Sequence, residues 1–218
     1  IQAIQEVADK YKFKEGMSET NRKYAAMVES IDDCMRDMIS ELKKHEIDEN
    51  TLIIFTSDNG GLDRNGNPTD NAPLRSGKGY CYEGGIRVPF LVRWPAKVPA
   101  GKTSDFPVSS IDLFPTIMEA TGTKLPKDRP IDGLSLGKHL ESGGKKSPNR
   151  ETLIWHFPHY RHAPGPYSII RKGDFKLIKF WEGIYELYDL EKDLGETKNL
   201  AESMPGKVRE LDAALLKR

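Results

Sequence analysis

A short apolar run in this chain ends abruptly in two polar residues and two glycines. Residues 51–56 read Thr-Leu-Ile-Ile-Phe-Thr, which predicts a buried strand, and Asp58-Asn59 and Gly60-Gly61 follow it. In open α/β proteins, functional residues gather at the carboxyl ends of strands. A carboxylate and an amide oxygen form a hard-oxygen set that suits Ca²⁺ or Mg²⁺ rather than zinc. A simple turn is the alternative, because Asp, Asn and Gly are the usual turn residues.

The segment after this turn carries a second motif. Residues 73–95 read Pro-Leu-Arg-Ser-Gly-Lys-Gly-Tyr-Cys-Tyr-Glu-Gly-Gly-Ile-Arg-Val-Pro-Phe-Leu-Val-Arg-Trp-Pro. The order and spacing resemble the sulfatase family of the alkaline-phosphatase-like superfamily. Its members carry Ser-Asp-Asn-Gly, a lysine beside glycine, Glu-Gly-Gly-Ile-Arg-Val-Pro and then Trp-Pro. Residues 24–32, 110–116, 132–133 and 185–193 fit the same pattern, so the resemblance covers nearly the whole chain.

The resemblance implies both a fold and an activity. The fold would be α/β: the C-terminal part of an alkaline-phosphatase-like parallel-sheet domain, followed by a small α+β subdomain with an antiparallel sheet and one helix. The activity would be hydrolysis of sulfate monoesters by a formylglycine nucleophile with one Ca²⁺. The substrate would be a sulfated small molecule or glycan, and the compartment periplasmic, secreted or lysosomal in type.

Periodicity in the first part of the chain predicts its regular elements. Residues 19–44 place apolar side chains three and four apart, which predicts one amphipathic helix before the strand at 51–56. A helix followed by a buried strand favours a parallel sheet. Residues 58–88 lack periodicity, which is typical of a functional loop. A strand is expected at 88–94 and a helix at 110–121.

The last third of the chain has a different pattern. Residues 136–150 are poor in apolar groups and are interpreted as a linker. Four strands are then expected, at 152–157, 167–171, 175–180 and 185–190, with Gly173-Asp174 as a hairpin turn and a final helix from Pro205. We therefore expect residues 1–146 to belong to the catalytic domain and residues 147–218 to form the small subdomain.

The resemblance assigns roles to three residues. Asp58 and Asn59 take the positions of two ligands of the calcium ion that holds the sulfate ester. Because imidazole suits zinc, Asn59 argues against the two-zinc centre of phosphatase-like relatives that carry Asp-His there. Two side chains are few for an ion that takes about six to eight oxygens, so weak calcium binding by this chain alone is expected. Lys78 takes the position of a sulfate contact, with an ordinary surface lysine as the alternative.

Four other charged residues near these motifs are expected to be structural. Arg75, Glu83, Arg87 and Asp112 are interpreted as members of ion pairs that shape the loop, because structural ion pairs also cluster near functional sites.

The histidines do not match a zinc site. His156, His159 and His162 are three residues apart, which is no standard zinc spacing. His156 and His159 are candidate substrate contacts, and a surface position is the alternative for both. His45 and His139 are expected at the surface.

The nucleophile of the resembled family is missing from these residues. Sulfatases make formylglycine from Cys or Ser in Cys/Ser-x-Pro-x-Arg, and neither Cys34 nor Cys81 lies in such a motif. The nearest match begins at Ser203 but has Lys207 in place of Arg. The chain also begins without Met. We therefore expect a C-terminal portion of a sulfatase that is inactive alone and self-associates through surface left open by truncation. Free thiols are the favoured interpretation of Cys34 and Cys81, with a pair between them as the alternative.

Composition limits the kinds of partner that the chain is expected to bind. The 33 basic and 33 acidic residues balance, so no overall field attracts nucleic acid or anionic membranes. No run of about 18 apolar residues occurs, so no membrane span is expected. Two other functions stay open: a related phosphate or phosphonate ester hydrolase, and a non-catalytic module that binds sulfated glycans.

Overall fold

The computed structural model describes residues 2–63, 69–161 and 165–217. The helices are α1 (Gln5–Asp9), α2 (Glu19–Lys44), α3 (Glu83–Ile86), α4 (Leu113–Ala120), α5 (Gly137–Glu141) and α6 (Pro205–Leu215). The strands are β1 (Ile53–Thr56), β2 (Phe90–Arg93), β3 (Leu153–Phe157), β4 (Tyr167–Lys172), β5 (Phe175–Phe180) and β6 (Tyr185–Asp189). A 3₁₀ turn, Ser110–Asp112, leads into α4. Within these ranges, no helix has both the length and the apolar character that a membrane crossing requires.

The long helix α2 has the bounds that the sequence predicts. Ser18 caps it by accepting a hydrogen bond of 3.1 Å from the backbone N–H of Asn21. Part of its apolar stripe, however, lies in solvent: Met27, Val28 and Ile31 are exposed, while the rest of the stripe is half-buried. The exposed part is an apolar surface of the kind that mediates association.

Strands β1 and β2 pair antiparallel, with Ile53 opposite Arg93 and Thr56 opposite Phe90. The parallel pairing favoured by the helix–strand order is therefore wrong for these two strands. Among its described residues, the loop after β1 has the four-residue helix α3 as its only regular element, and it returns the chain at the end where β1 finishes. A parallel neighbour would need a crossover that carries the chain to the other end. Strand β1 is also half-buried rather than buried.

The C-terminal part forms a four-stranded antiparallel sheet in the order β3-β4-β5-β6. Because side chains alternate along a strand, the sheet has two distinct apolar faces. One face packs against α6, mainly through Ile170, Leu177, Leu187 and Leu211. The other face receives Cys81 and Tyr82, which pack on Ile169, Ile178, Phe180, Tyr188 and Leu190. The loop of the first part thus completes the core of the second.

The segment expected to be a linker is partly helical, and His139 is wrong as a surface residue. His139 lies in α5 and is buried, with its Nε2 atom 2.9 Å from the Ser104 hydroxyl and its Nδ1 atom 3.3 Å from the Lys146 carbonyl. A helix of five residues is too short to produce a periodic signal, so the residue pattern does not predict it. His45 is exposed, as expected. The boundary between residues 146 and 147 stays a prediction.

Two segments of the loop between β1 and β2 meet at glycines. These segments, residues 57–63 and 71–87, are called the two motif loops below. The Gly60 N–H donates to the Gly85 carbonyl at 3.0 Å, and the Lys78 N–H donates to the Gly61 carbonyl at 2.9 Å. A Cβ atom placed on Gly60 would lie 1.7 Å from the Gly84 carbonyl oxygen. The close approach of the two backbones therefore requires glycine at position 60.

One side chain fastens the same contact. The Asn71 amide nitrogen donates to the carbonyls of Gly61 at 2.9 Å and Ser76 at 3.0 Å, and its oxygen accepts from the Gly61 N–H at 3.2 Å. A Cβ atom on Gly77 would collide with the Gly61 carbonyl oxygen at 2.2 Å. The two motif loops are thus joined by backbone and amide hydrogen bonds, with no room for side chains between them.

Replacing Gly60 by Ala is expected to destabilise the protein by about 1–3 kcal/mol, because the added methyl group overpacks this contact. Urea unfolding followed by circular dichroism measures the loss. Gly206→Ala is the matched control: it occupies the first turn of α6, and apart from its chain neighbours and the backbone of its own helix no atom lies within 4 Å of its Cβ position. Alanine should be neutral or stabilising there by up to about 1 kcal/mol. Equal stability of the two variants would contradict the interlocked geometry.

Candidate functional site

Asp58, Asn59 and Lys78 lie on the two joined loops. Asp58 and Asn59 follow the carboxyl end of β1; the first is exposed and the second half-buried, while Lys78 is exposed. The hydrogen bond between Gly61 and Lys78 brings the lysine backbone to the same turn. Within the described residues, no hydrogen bond or ion pair engages these three side chains. A carboxylate, an amide and an ammonium are therefore available to a ligand.

The donor chemistry of Asp58 and Asn59 fits part of a calcium site. Both supply hard oxygen, but across the described ranges no group of three or more His, Cys, Asp and Glu residues is placed to hold a metal ion. Calcium takes about six to eight oxygens, so these two residues would form part of a ligand set.

A buried ion network anchors the loop that carries Lys78. Lys176, on β5, is fully buried, and its Nζ atom lies 3.0 Å from Glu83 Oε1 and 2.8 Å from Glu196 Oε1. The second oxygen of Glu196 accepts from the Glu83 backbone N–H at 2.7 Å. Both carboxylates are buried, and burial raises the pKa of Glu196. Glu196 also adopts a left-handed backbone conformation, with φ of +50°, which is uncommon for a residue with a side chain.

Arg75 forms a second anchor beside this network. Its guanidinium lies 3.6 Å from the centre of the Tyr82 ring and donates to the Tyr188 hydroxyl at 2.8 Å and the Glu196 carbonyl at 3.1 Å. The Glu186 carboxylate is 3.9 Å away. Because a guanidinium is planar, it can stack on an aromatic ring and donate hydrogen bonds at the same time. Arg75 therefore fixes the loop against the sheet from two directions.

The four charged residues expected in ion pairs all have such partners. Arg75 pairs with Glu186, Glu83 with Lys176 and Arg87, and Asp112 with Arg150. Asp112 does not shape the 58–88 loop. It instead accepts from the backbone N–H groups of Ser109 at 2.8 Å and Leu134 at 2.9 Å, so it organises the start of α4.

His156 lies in β3, whereas His159 follows two residues after the end of that strand. His156 pairs across the sheet with Ser168, whose hydroxyl is 2.7 Å from its Nδ1 atom, on the face that packs α6. His159 is exposed and packs edge-on against Phe157, with ring centres 5.0 Å apart. The geometry thus separates these two candidates. His162 lies outside the described residues.

Phe157 also lines a small cavity on the loop side of the sheet. Its other lining residues come from the loop and the sheet: Gly79, Tyr80, Cys81, Tyr82, Gly165, Tyr167 and Phe180. Burial raises the pKa of the Cys81 thiol to about 12, so it stays protonated and is a poor nucleophile. Cys34 is exposed, and both cysteines are free, as expected.

Sequence reasoning missed Lys176, Glu196 and Asn71. A lysine in an alternating strand is interpreted as solvent-facing, and its partner Glu83 is 93 positions away along the chain. The one available sign was the strand pattern itself, which places Lys176 on the same face as the apolar Ile178 and Phe180.

Two family models match the chain. The model described as Sulfatase matches residues 2–123, and the model described as N-sulphoglucosamine sulphohydrolase, C-terminal, matches residues 76–218. A protein named Sulfatase from Formosa agariphila is 38% identical over 226 residues, covering 94% of this chain and 40% of its own length. The chain therefore spans about two fifths of that relative.

Solved structures match the whole fold. The crystal structure of Ps i-CgsB in complex with k-i-k-neocarrahexaose is 30% identical with a TM-score of 0.84, covering 99% of this chain and 46% of that one. BT4656 in complex with its substrate D-glucosamine-2-N,6-O-disulfate is 28% identical with a TM-score of 0.73, covering 98% and 44%.

A third similar structure is that of an enzyme named for a different ester. The phosphonate monoester hydrolase of Agrobacterium radiobacter is 28% identical with a TM-score of 0.69, covering 93% of this chain and 42% of that one. The shared architecture confirms the expected α/β, alkaline-phosphatase-like fold class. On the family models and the relative together, the chain belongs to the sulfatase family.

Proposed function

We propose that this chain is the C-terminal portion of a sulfatase that hydrolyses sulfate monoesters. Its Asp58 and Asn59 would bind the calcium ion that holds the ester, and Lys78 would contact the sulfate. The observation that carries the proposal is the hydrogen bond between Gly61 and Lys78, which joins the two motif loops while all three side chains remain unengaged by the described residues. Membership of the sulfatase family supports the reaction class.

Each of these residues has a distinct task in the proposed site. When bound, calcium would polarise the sulfate oxygens as a Lewis acid. Asp58 and Asn59 would supply the ion with a carboxylate oxygen and a neutral amide oxygen. The Lys78 ammonium would neutralise a second sulfate oxygen as charge develops on it. The nucleophile, a formylglycine in this family, would come from outside residues 1–218.

A sulfated sugar is the substrate class best supported. BT4656 is described in complex with a sulfated glucosamine, and its likeness extends over nearly all of this chain. His159 is exposed and packs edge-on against Phe157, which lines the cavity described above, so it is available at the rim of that cavity. We propose His159 as a substrate contact at this rim, with His156, on the face of the sheet that packs α6, as the weaker candidate.

A phosphonate ester hydrolase is the second candidate, because the Agrobacterium radiobacter enzyme shares the fold at 28% identity. The two functions are separated by measuring kcat/KM of the intact parent protein on matched aryl esters of sulfate, phosphate and phosphonate. We expect the sulfate ester to be preferred by at least about tenfold. Preference for the phosphonate would favour the second candidate. Binding of a sulfated sugar without turnover of any ester would favour a non-catalytic module.

In the intact parent, Lys78→Ala should lower kcat on a sulfate ester by about thirty- to a thousandfold, since one lost contact to developing charge costs about 2–4 kcal/mol of barrier. Its melting temperature should barely change, because Lys78 is exposed. Lys138→Ala, an exposed position on α5, is the control and should leave kcat intact. Unchanged kinetics in Lys78→Ala would make Lys78 an ordinary surface lysine.

The 218-residue chain alone should show no turnover of an activated aryl sulfate with calcium present, because no formylglycine motif is among its residues. Its calcium affinity by calorimetry should be weaker than about 1 mM, since Asp58 and Asn59 form only part of a ligand set. Turnover that Asp58→Ala abolishes, or tight calcium binding, would contradict this assignment.

A further inference from the structure

We propose that Lys176 is a positioning residue, which sets through Glu83 and Glu196 the place of the loop that carries Lys78. The inference rests on the function proposed above. Lys176 lies in the C-terminal sheet and touches none of the three candidate site residues, so its effect would pass through the segment between Arg75 and Gly85.

The first step of the connection is a three-point contact. The Lys176 ammonium bridges one oxygen of Glu83 and one of Glu196, at 3.0 and 2.8 Å. The other Glu196 oxygen holds the backbone N–H of Glu83 at 2.7 Å. Both the side chain and the backbone of Glu83 are therefore fixed, which sets the direction in which α3 begins.

The second step runs from Glu83 to the candidate metal ligands. The next two residues along the chain are Gly84 and Gly85, and the Gly85 carbonyl accepts from the Gly60 N–H at 3.0 Å. Gly60 directly follows Asn59 in the chain. A shift at Glu83 would therefore move the turn that carries Asp58 and Asn59.

The third step runs from the same anchor to Lys78. The Gly84 N–H donates to the Arg75 carbonyl at 2.9 Å, and the Arg75 guanidinium donates to the Glu196 carbonyl at 3.1 Å. Lys78 lies three residues after Arg75, and its own N–H is held by Gly61. Glu196 thus holds both ends of the segment that presents the lysine.

The chemistry of the contact favours positioning over simple stabilisation. Burying one ammonium and two carboxylates carries a large desolvation penalty, which an apolar cluster of equal volume would avoid. The neighbouring side chains Ile178 and Phe180 already supply apolar packing on this face. What a charged network adds is direction, because hydrogen bonds to charged groups are short and have fixed geometry.

Hydrogen exchange in the intact protein tests the connection without relying on activity. In Lys176→Met, amides in residues 57–62 and 76–87 should exchange about tenfold faster or more, while those of β4 keep their protection. Lys179→Met is the matched control. Lys179 lies on the same strand but faces α6, where it pairs with Asp212 at 2.7 Å. It should leave both loop segments unchanged.

Kinetics supply the second readout. Lys176→Met should lower kcat on a sulfate ester by about ten- to a hundredfold, as expected for a displaced catalytic contact, and Lys179→Met by less than about twofold. If circular dichroism shows that Lys176→Met is unfolded, Glu196→Gln replaces it, because it keeps the side-chain volume and removes one charge. The same local loosening and loss of kcat are then expected.

Either of two exchange results would overturn the proposal: loop amides that keep wild-type exchange rates, or a folded variant whose β4 amides loosen as much as the loop. A folded variant with wild-type kcat would overturn it as well. Failure of the proposed function gives a different result from failure of this proposal. In that case the wild-type protein itself hydrolyses no sulfate ester, while hydrogen exchange still shows whether Lys176 positions the loop.

Discussion

The packing of residues 75–86 against one face of the C-terminal sheet is the interaction on which the rest of this structure depends. The segment has only the short helix α3 as regular structure, so its own backbone cannot hold it in place. The sheet, in turn, would expose Ile169, Ile178 and Phe180 without it. Each part thus supplies what the other lacks, and the ion network of Lys176 fixes how they fit.

Sequence reasoning recovered the elements whose signal is local. The bounds of α2 and β5 were predicted to the residue, because a long amphipathic period and a strand that begins directly after the turn Gly173-Asp174 are both local patterns. The antiparallel pairing of β1 with β2 was not predicted. Its direction depends on where a long loop returns, and no short-range pattern records that.

The candidate site likewise contains residues that the sequence predicts and residues that only the fold reveals. Asp58, Asn59 and Lys78 belong to compact motifs and could be named from the sequence. Lys176 and Glu196 could not, because they meet Glu83 across 93 and 113 positions of chain. Charged residues in a strand or a turn are ordinarily solvated, so only the folded arrangement shows that these two are buried.

The place of Glu196 has a consequence for synthesis on the ribosome. The motif residues emerge early, but the carboxylate that holds Glu83 is made more than a hundred positions later. Until Glu196 is made, the segment bearing Lys78 lacks this anchor. A chain truncated just before Glu196 would therefore contain Asp58, Asn59, Lys78 and all four strands of the C-terminal sheet, yet leave the backbone N–H of Glu83 without its carboxylate partner. The last part of this chain thus adds the support of the motif loops after the motif residues themselves have been made.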